Sequence, residues 1–300
     1  DFPKVFADSK LANGLEGKNG RADVLDEAKW GLDWLLKMHP KANQMYNQIA
    51  DDRDHASMRM PKEDPYYGRG FERPVYFIDG EPQQRGKFMN NTTGTSSTAG
   101  KFSSAFRLGA TLFDREDRKY AKFLCQKAEA AYAYAHLKPG VTQTVSVKSP
   151  YIYAEDNWVD DMQLAAAMGF SATKKSKFAR EALSYARQEK ITPWMVTDTA
   201  AHYQWYPFIN LGHYELAKAL KGQDREEIVS YYKQGIEAVN QRAEQNAFLR
   251  GVPFIWCSNN LTVSFAIQCL WYKELSGDGR FDELAQANVD WLFGTNPWGT

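Results

Sequence analysis

The chain has 300 residues, 43% hydrophobic and 14% aromatic, with 37 basic residues balancing 37 acidic ones. That composition excludes a disordered segment, and the zero net charge excludes the field that steers nucleic acid or an anionic membrane, so an uncharged partner such as a neutral glycan fits the balance. No apolar run approaches the roughly 18 residues of a membrane span, and Asp1-Phe2-Pro3 lacks the basic and apolar regions of a signal peptide.

The first element is an amphipathic helix over 23–38, where Leu25, Ala28, Leu32, Leu35 and Leu36 recur at helical spacing and Asp23 and Asp26 complement the dipole at its start. The next stretch, 39–97, breaks into Pro-, Gly- and Thr-rich turns with one short strand expected at Val75–Ile78, and a loop of that length is usually functional. After it, helical patterns come in pairs: 98–113 with 118–136, 156–169 with 176–189, 207–220 with 224–247, and 259–275 with 280–293. First members start about every 50 residues, the signature of stacked or closed helical hairpins that bury their faces against neighbours. First members are rich in Ala, Ser, Gly and large apolar residues, while second members such as 224–244 carry many charges, so the two sets read as inner and outer rings. Nine helices, one of them unpaired, are expected where a six-hairpin toroid needs twelve, so the chain reads as one incomplete all-α (α/α)6 module over 1–300 with 39–97 as a cleft-lining loop.

Aromatic residues gather in the segments before first members: Tyr151, Tyr153 and Trp158, then Trp194, Tyr203, Trp205 and Tyr206, then Phe254 and Trp256. Sugar rings present flat C–H faces that stack on aromatic planes, so such segments suit a glycan cleft, whereas the competing reading plugs them into the core. His55 and Arg59, four apart amid polar residues, are placed to hydrogen-bond sugar hydroxyls. Glycosidases need two flanking carboxylates, and Asp51, Asp52 and Asp54 form one candidate cluster, with a solvated turn as the alternative. Asp156, Asp160 and Asp161 form a second, in which Asp156 serves as a helix N-cap and the others supply oxygen ligands to a hard cation such as calcium. His202 and His213 lack partners at zinc spacing and read as structural. The run from Thr93 to Thr98 has no P-loop ending and reads as a helix-capping loop, and Cys125, Cys257 and Cys269 read as free buried thiols.

Several stretches resemble glycoside hydrolase family 9, the inverting β-1,4-glucanases. They are 2–8 (Phe-Pro-Lys-Val-Phe-Ala-Asp), 23–30 (Asp-Val-Leu-Asp-Glu-Ala-Lys-Trp), Asp52-Arg53-Asp54-His55, 97–102, Asn157-Trp158-Val159-Asp160-Asp161-Met162, 256–260 and Leu292-Phe293-Gly294-Thr295-Asn296-Pro297, in family order. The resemblance implies an (α/α)6 barrel that hydrolyses internal bonds of cellulose or a related β-glucan. It also implies that the catalytic aspartate and glutamate lie outside this segment, so no catalytic residue is expected in it. His55 matches a substrate-contacting histidine, Trp205 a stacking tryptophan, and Trp256 borders the same face. Met58 stands where a tryptophan often follows. Asp160 and Asp161 match a calcium-binding Asp-Glu pair, with Asp156 and Asn157 where its other ligands fall. Substrate contacts are therefore expected from His55, Arg59, Tyr153, Trp158, Trp205, Tyr206 and Trp256. A structural calcium is the one possible cofactor, since the chemistry requires none. A secreted, periplasmic or cell-surface enzyme with an N-terminal accessory domain is the setting implied. The alternatives are a non-catalytic β-glucan-binding protein and a sugar-epimerase-like protein on the same barrel.

Overall fold

A computed structural model describes residues 7–56, 58, 60, 73–148, 153–201, 204 and 210–299, the side chains of 55 and 56 excepted. The chain divides into two compact units, 1–152 and 153–300.

The first unit holds α1 (Asp23–Met38), β1 (Tyr46–Ile49), a 3-10 turn over Asp52–Ala56, β2 (Val75–Phe77), α2 (Ser96–Phe113) and α3 (Arg118–Ala135). α1 has the bounds that its spacing predicts, with Leu25, Leu32 and Met38 buried. Its Asp23 carboxylate accepts hydrogen bonds from the Ser9 hydroxyl (2.7 Å) and the Lys10 amide (2.9 Å), which pins the preceding loop. β1 pairs antiparallel with β2, Ile49 opposite Val75. The expected strand at Val75 is present, whereas its partner β1 is only four residues rich in Asn and Gln and carries no hydrophobic alternation to betray it.

α2 packs against both α1 and α3 and is buried on more than one face: Phe102, Phe106 and Phe113, but also Ser103, Gly109 and Ala110. Gly109 is where the three helices close up, since a Cβ there would meet Leu32 Cδ1 at 2.5 Å and Leu124 Cδ1 at 3.1 Å. The segments 90–97 and 138–145 cross just before α2 and just after α3. Thr93 and Gly94 amides donate to the Val141 carbonyl, Thr95 to Lys138, and Ser96 to Gly140. The hydroxyls of Thr95 and Ser96 donate to the Tyr134 and Ala135 carbonyls at the buried C-terminal end of α3, satisfying acceptors that a helix C-terminus leaves open. The Thr93–Thr98 run, expected to cap the helix that follows it, gives α2 no side-chain cap and instead closes the end of α3.

The second unit holds α4 (Val159–Thr173), α5 (Ser176–Gln188), α6 (Pro193–Val196), α7 (Leu211–Ala219), α8 (Gly222–Ala243), α9 (Ser258–Ser276) and α10 (Asp282–Leu292). α4 packs on α5 and α7, α7 on α8, and α9 on α8 and α10. Burial follows the expected division of first and second members: α4 and α9 are buried broadly, while α5 buries only Ala182, Leu183 and Ala186 and leaves its charges in water. The described residues contain ten helices rather than nine, because the single turn α6 is too short to show a period.

Two expectations are corrected here. α4 begins at Val159 rather than 156, and Asp156 does not cap it. Asn157 Oδ1 instead accepts the Val159 amide at 3.0 Å, an Asx turn that lets Trp158 take the N-cap position with no side-chain cap. Trp194 is fully buried in α6, which packs on α8, and so belongs to the core rather than to the exposed aromatic set.

The crossing of 90–97 with 138–145 yields a stability test. A Cβ on Gly94 would lie 2.4 Å from both the Gly140 nitrogen and the Lys138 carbonyl oxygen, main-chain atoms that cannot rotate away. Gly94→Ala is expected to cost about 1–3 kcal/mol in chemical denaturation. Gly31→Ala, at a helical position with nothing within 4 Å, is expected to be neutral or to gain about 0.5–1 kcal/mol. Equal midpoints for the two variants would contradict the tight crossing.

Candidate functional site

In the first unit, the 3-10 turn that carries the Asp-Arg-Asp-His stretch is held by two buried carboxylates, each fully engaged. Asp51 receives Arg53 Nε at 2.7 Å, the Arg53 terminal nitrogen at 2.6 Å and the Tyr76 hydroxyl at 2.6 Å. Burial alone would raise the Asp51 pKa, but these hydrogen bonds outweigh it and hold the carboxyl below its usual range. Tyr76 is raised in turn, by burial and then by the adjacent carboxylate. Asp52 accepts the Val147 amide at 2.7 Å, the Lys148 amide at 2.9 Å and the Ser146 hydroxyl at 3.1 Å, tying the turn to segment 146–148. Asp54 pairs with Arg73 at 3.4 Å. A general acid or base needs a lone pair or proton open to substrate, and Asp51 and Asp52 are turned into the fold instead. His55 sits in this turn, its side chain outside the described part of the structure, and Arg59 lies outside the described residues.

In the second unit, the N-terminal end of α4 and the C-terminal end of α5 bring Asp156, Asn157, Asp160 and Glu189 together. The Asn157 amide donates to Glu189 Oε2, while Glu189 Oε1 is buried without a hydrogen-bond partner. Burial, then the charges of Asp160 and Asp156, push the Glu189 pKa up to about 8 against the Asn157 bond. Asp161 is buried, Asp160 half-buried and Asp156 exposed. Among the described residues no three His, Cys, Asp or Glu side chains converge as a metal cluster. Glu189 escaped the sequence reading because it closes a charged helix and looks like any solvated end.

The expected aromatic contacts divide. Tyr153 is exposed, and Trp158 is half-buried with its ring edge-on to Tyr185 at 6.0 Å. Trp256 is 70% exposed, in the segment that leads into α9. Trp205 and Tyr206, like Tyr151, His202 and Tyr203, lie outside the described residues. Segment 250–258 is braced by Arg250, whose guanidinium donates to the Val252 and Pro253 carbonyls at 2.9 and 3.1 Å and to the Ser258 hydroxyl at 3.0 Å. Cys257 takes a left-handed conformation (φ 65°) at the N-cap of α9, which turns the chain sharply after Trp256. A cavity of about 260 Å³ between 10–14 and the start of α1, walled by Trp30, contains none of the expected site residues.

His213 is structural, as expected. Its Nε2 lies 3.0 Å from the Lys190 carbonyl, which only accepts, so that nitrogen carries the proton and Nδ1 takes the Gln163 amide at 2.7 Å. Complete burial lowers its pKa to about 4 and keeps it neutral. Cys269 is a buried free thiol whose pKa burial raises, while Cys125 and Cys257 are half-buried and unbridged.

A family model described as glycosyl hydrolase family 9 matches residues 1–300. Endoglucanase 4 of Bacillus sp. (strain KSM-522) is 24% identical over 92% of this chain and 42% of its own length. Endoglucanase 15 of Arabidopsis thaliana is 28% identical over 57% of this chain and 33% of its own. The chain thus spans less than half of either relative. Among solved structures, a metagenome-derived glycoside hydrolase family 9 endoglucanase superposes with a TM-score of 0.71 at 23% identity, covering all of this chain and 50% of that one. The endoglucanase of the termite Nasutitermes takasagoensis gives 0.64 at 19%, over 90% and 58%. These likenesses assign the helical hairpins to the (α/α)6 barrel fold class.

Glu189 gives a pH test. Unfolded, this carboxyl ionises near pH 4.5; folded, it keeps its proton to about pH 8. Folding therefore takes up a proton in that window, and stability falls as pH rises through it, by roughly 2–4 kcal/mol after allowance for partial exposure. Glu189→Gln is expected to match the parent near pH 5 and to exceed it above pH 8 in thermal unfolding. Parallel stability curves from pH 5 to 9 would contradict the assignment.

Proposed function

The chain belongs to glycosyl hydrolase family 9, and on that premise we propose that the protein hydrolyses internal β-1,4-glucosidic bonds of cellulose or a related β-glucan, with inversion at the anomeric carbon. The observation that carries this reading is the family match over the whole chain. The exposed aromatic planes of Tyr153 and Trp256, in segments that lead into first-member helices, support it as stacking surfaces for pyranose faces. In an inverting reaction one carboxylate activates water on one face of the sugar while a carboxylic acid protonates the leaving oxygen on the other. Asp51 and Asp52 are committed to Arg53, Tyr76 and segment 146–148, which supports placing the acid and base outside this segment. The segment's own part is to bind and orient the glucan, with Tyr153, Trp158 and Trp256, and with His55, Arg59, Trp205 and Tyr206 by the family resemblance. The enclosure of His213 in Gln163 and main chain counts against an epimerase, which needs histidines facing the sugar.

A polymeric glucan is met outside the cell, so we propose a secreted, periplasmic or surface location and an N-terminal accessory domain in the full protein. No helix among the described residues is long and apolar enough to cross a membrane. We also propose a structural calcium at Asp156, Asn157, Asp160 and Asp161. All four offer hard oxygen donors, and the ion would have to draw them together, since no three carboxylates converge there among the described residues. The ion supplies charge neutralisation and takes no part in bond cleavage.

Two measurements test these readings. Reducing-end release from soluble β-glucans, with the product anomer followed by NMR, is expected from the full-length protein with inversion and not from the 300-residue segment alone. Full activity of the segment would place the acid and base within it. Thermal unfolding of the full-length protein is expected to move up by several degrees in calcium relative to chelator, and this shift should vanish in an Asp160→Asn/Asp161→Asn variant; no calcium-dependent shift would remove the ion.

A further inference from the structure

The 3-10 turn over Asp52–Ala56 is entered through a strained residue. Ala50 has a φ of 66°, a left-handed conformation that its Cβ disfavours, and its amide donates to the Pro74 carbonyl at 2.8 Å. A chain keeps such a conformation only where the surroundings over-determine it. Three anchors do so here. Before the bend, Gln48 of β1 accepts the Val145 amide at 2.7 Å, and its own amide group donates to the Val145 carbonyl at 3.0 Å and to the Ala50 carbonyl at 2.7 Å. After the bend, Asp52 holds segment 146–148. Between these two, the fully buried carboxylate of Asp51 closes its ring with Arg53 and the hydroxyl of Tyr76, the one buried residue of β2.

This middle anchor is the one that stability alone does not explain. Burying a carboxylate against a guanidinium and a phenol carries a desolvation cost, and apolar side chains of similar volume would often stabilise the same place as well or better. What the ring supplies, and an apolar cluster does not, is direction. Arg53 grips both Asp51 oxygens with a fork of two N–H···O bonds, at 2.7 and 2.6 Å, and Tyr76 adds an O–H···O bond at 2.6 Å from a different strand. Together they fix the rotation of Asp51 relative to β2, and so the path by which the main chain enters the 3-10 turn. His55 lies in that turn, four residues after Asp51 and two after Arg53. A strained entry held by a directional clamp is therefore placed immediately before the residue that the family resemblance sets against the sugar.

We propose that Asp51 and Tyr76 are positioning residues for the glucan: their ring with Arg53 sets the turn that carries His55, and its loss is felt by substrate only through His55. The inference rests on the β-glucan reading given above and on the substrate contact that the family resemblance gives His55. The ring acts at a distance from the sugar, since its polar atoms are spent on one another. Its leverage is geometric, because a displacement of about 1 Å in a group that contacts substrate can cost up to about 100-fold in rate.

The test is a double-mutant cycle on the full-length protein, read as kcat/KM for cello-oligosaccharides. Tyr76→Phe keeps the ring and removes only the hydroxyl; it is expected to lower kcat/KM by roughly three- to tenfold, divided between kcat and KM as in His55→Ala. In a His55→Ala background the same substitution should change kcat/KM by less than about twofold. Asp51→Asn, which keeps the shape of the carboxylate and removes its charge, should show the same dependence on His55. Tyr120→Phe serves as the control for a purely structural loss. It deletes the same kind of bond, from a tyrosine hydroxyl to Asp33 at 2.8 Å, and should lower the melting temperature while leaving kcat/KM within about twofold. Unchanged kcat/KM in folded Tyr76→Phe and Asp51→Asn overturns the proposal, as do losses of equal size with and without His55. A His55→Ala protein with full activity overturns it too, by removing the contact that the ring would serve. A wild-type protein that acts on no β-glucan fails the functional reading instead, a result that the variants cannot mimic.

Discussion

Close approach of helices at residues without side chains is the contact on which the rest of this structure depends. A hairpin helix buried on two sides has no room for large residues where its neighbours converge, and in both units a glycine marks the place. Gly109 lets α2 close on Leu32 of α1, Gly169 lets α4 close on Phe178 of α5, and Gly212 lets α7 close on Gln163 of α4. In each case a Cβ would fall below 3 Å from the neighbouring side chain. Once the helices sit this close, their ends lie near one another as well, and the loops between them must run over a crowded surface with many unpaired main-chain groups. The buried polar residues of this protein answer that demand: Asn90, Asp52, Thr95, Ser96 and Asn288 all bond to main-chain atoms.

The same demand explains which carboxylates are available for chemistry. Asp51 and Asp52 lie in the stretch that first suggests a glycosidase pair, yet one closes a ring with Arg53 and Tyr76 and the other holds 146–148. Glu189 is unavailable for the opposite reason. It is kept protonated by burial and by neighbouring aspartates, and its outer oxygen is taken by Asn157 while the inner one has no access to water. The described carboxylates of these two clusters are thus occupied by the fold itself.

Much of this was legible in the sequence, and the parts that were not have physical causes. The bounds of α1 and the presence of the four later pairs follow from hydrophobic period, because 9–22 residues of amphipathic pattern are hard to mistake, whereas ends such as those of α4 (Val159–Thr173) and α8 (Gly222–Ala243) depart from the expected 156–169 and 224–247. β1 and α6, at four residues each, are below the length at which a period exists. Aromatic type and position grouped Trp194 with Tyr153 and Trp256; the latter two are exposed, whereas Trp194 is sealed in the core. Composition cannot separate these cases, since a tryptophan before a helix serves equally as a plug or as a platform and only the packing of α6 decides. Capping was misread as well: Asp156 is a good cap by type, but the Asx turn at Asn157 leads the chain into α4 with Trp158 at the N-cap and no side-chain cap.

The grip of Asp52 on segment 146–148 has an evolutionary consequence. Val147 and Lys148 bond Asp52 through their main-chain N–H groups. Such a bond is indifferent to the identity of the residues that supply it, proline excepted. Positions 147 and 148 can therefore drift through many side chains while the attachment persists, whereas Asp52 cannot be exchanged without releasing the segment. The fold thus leaves a stretch free to vary in what it displays while constraining where it lies.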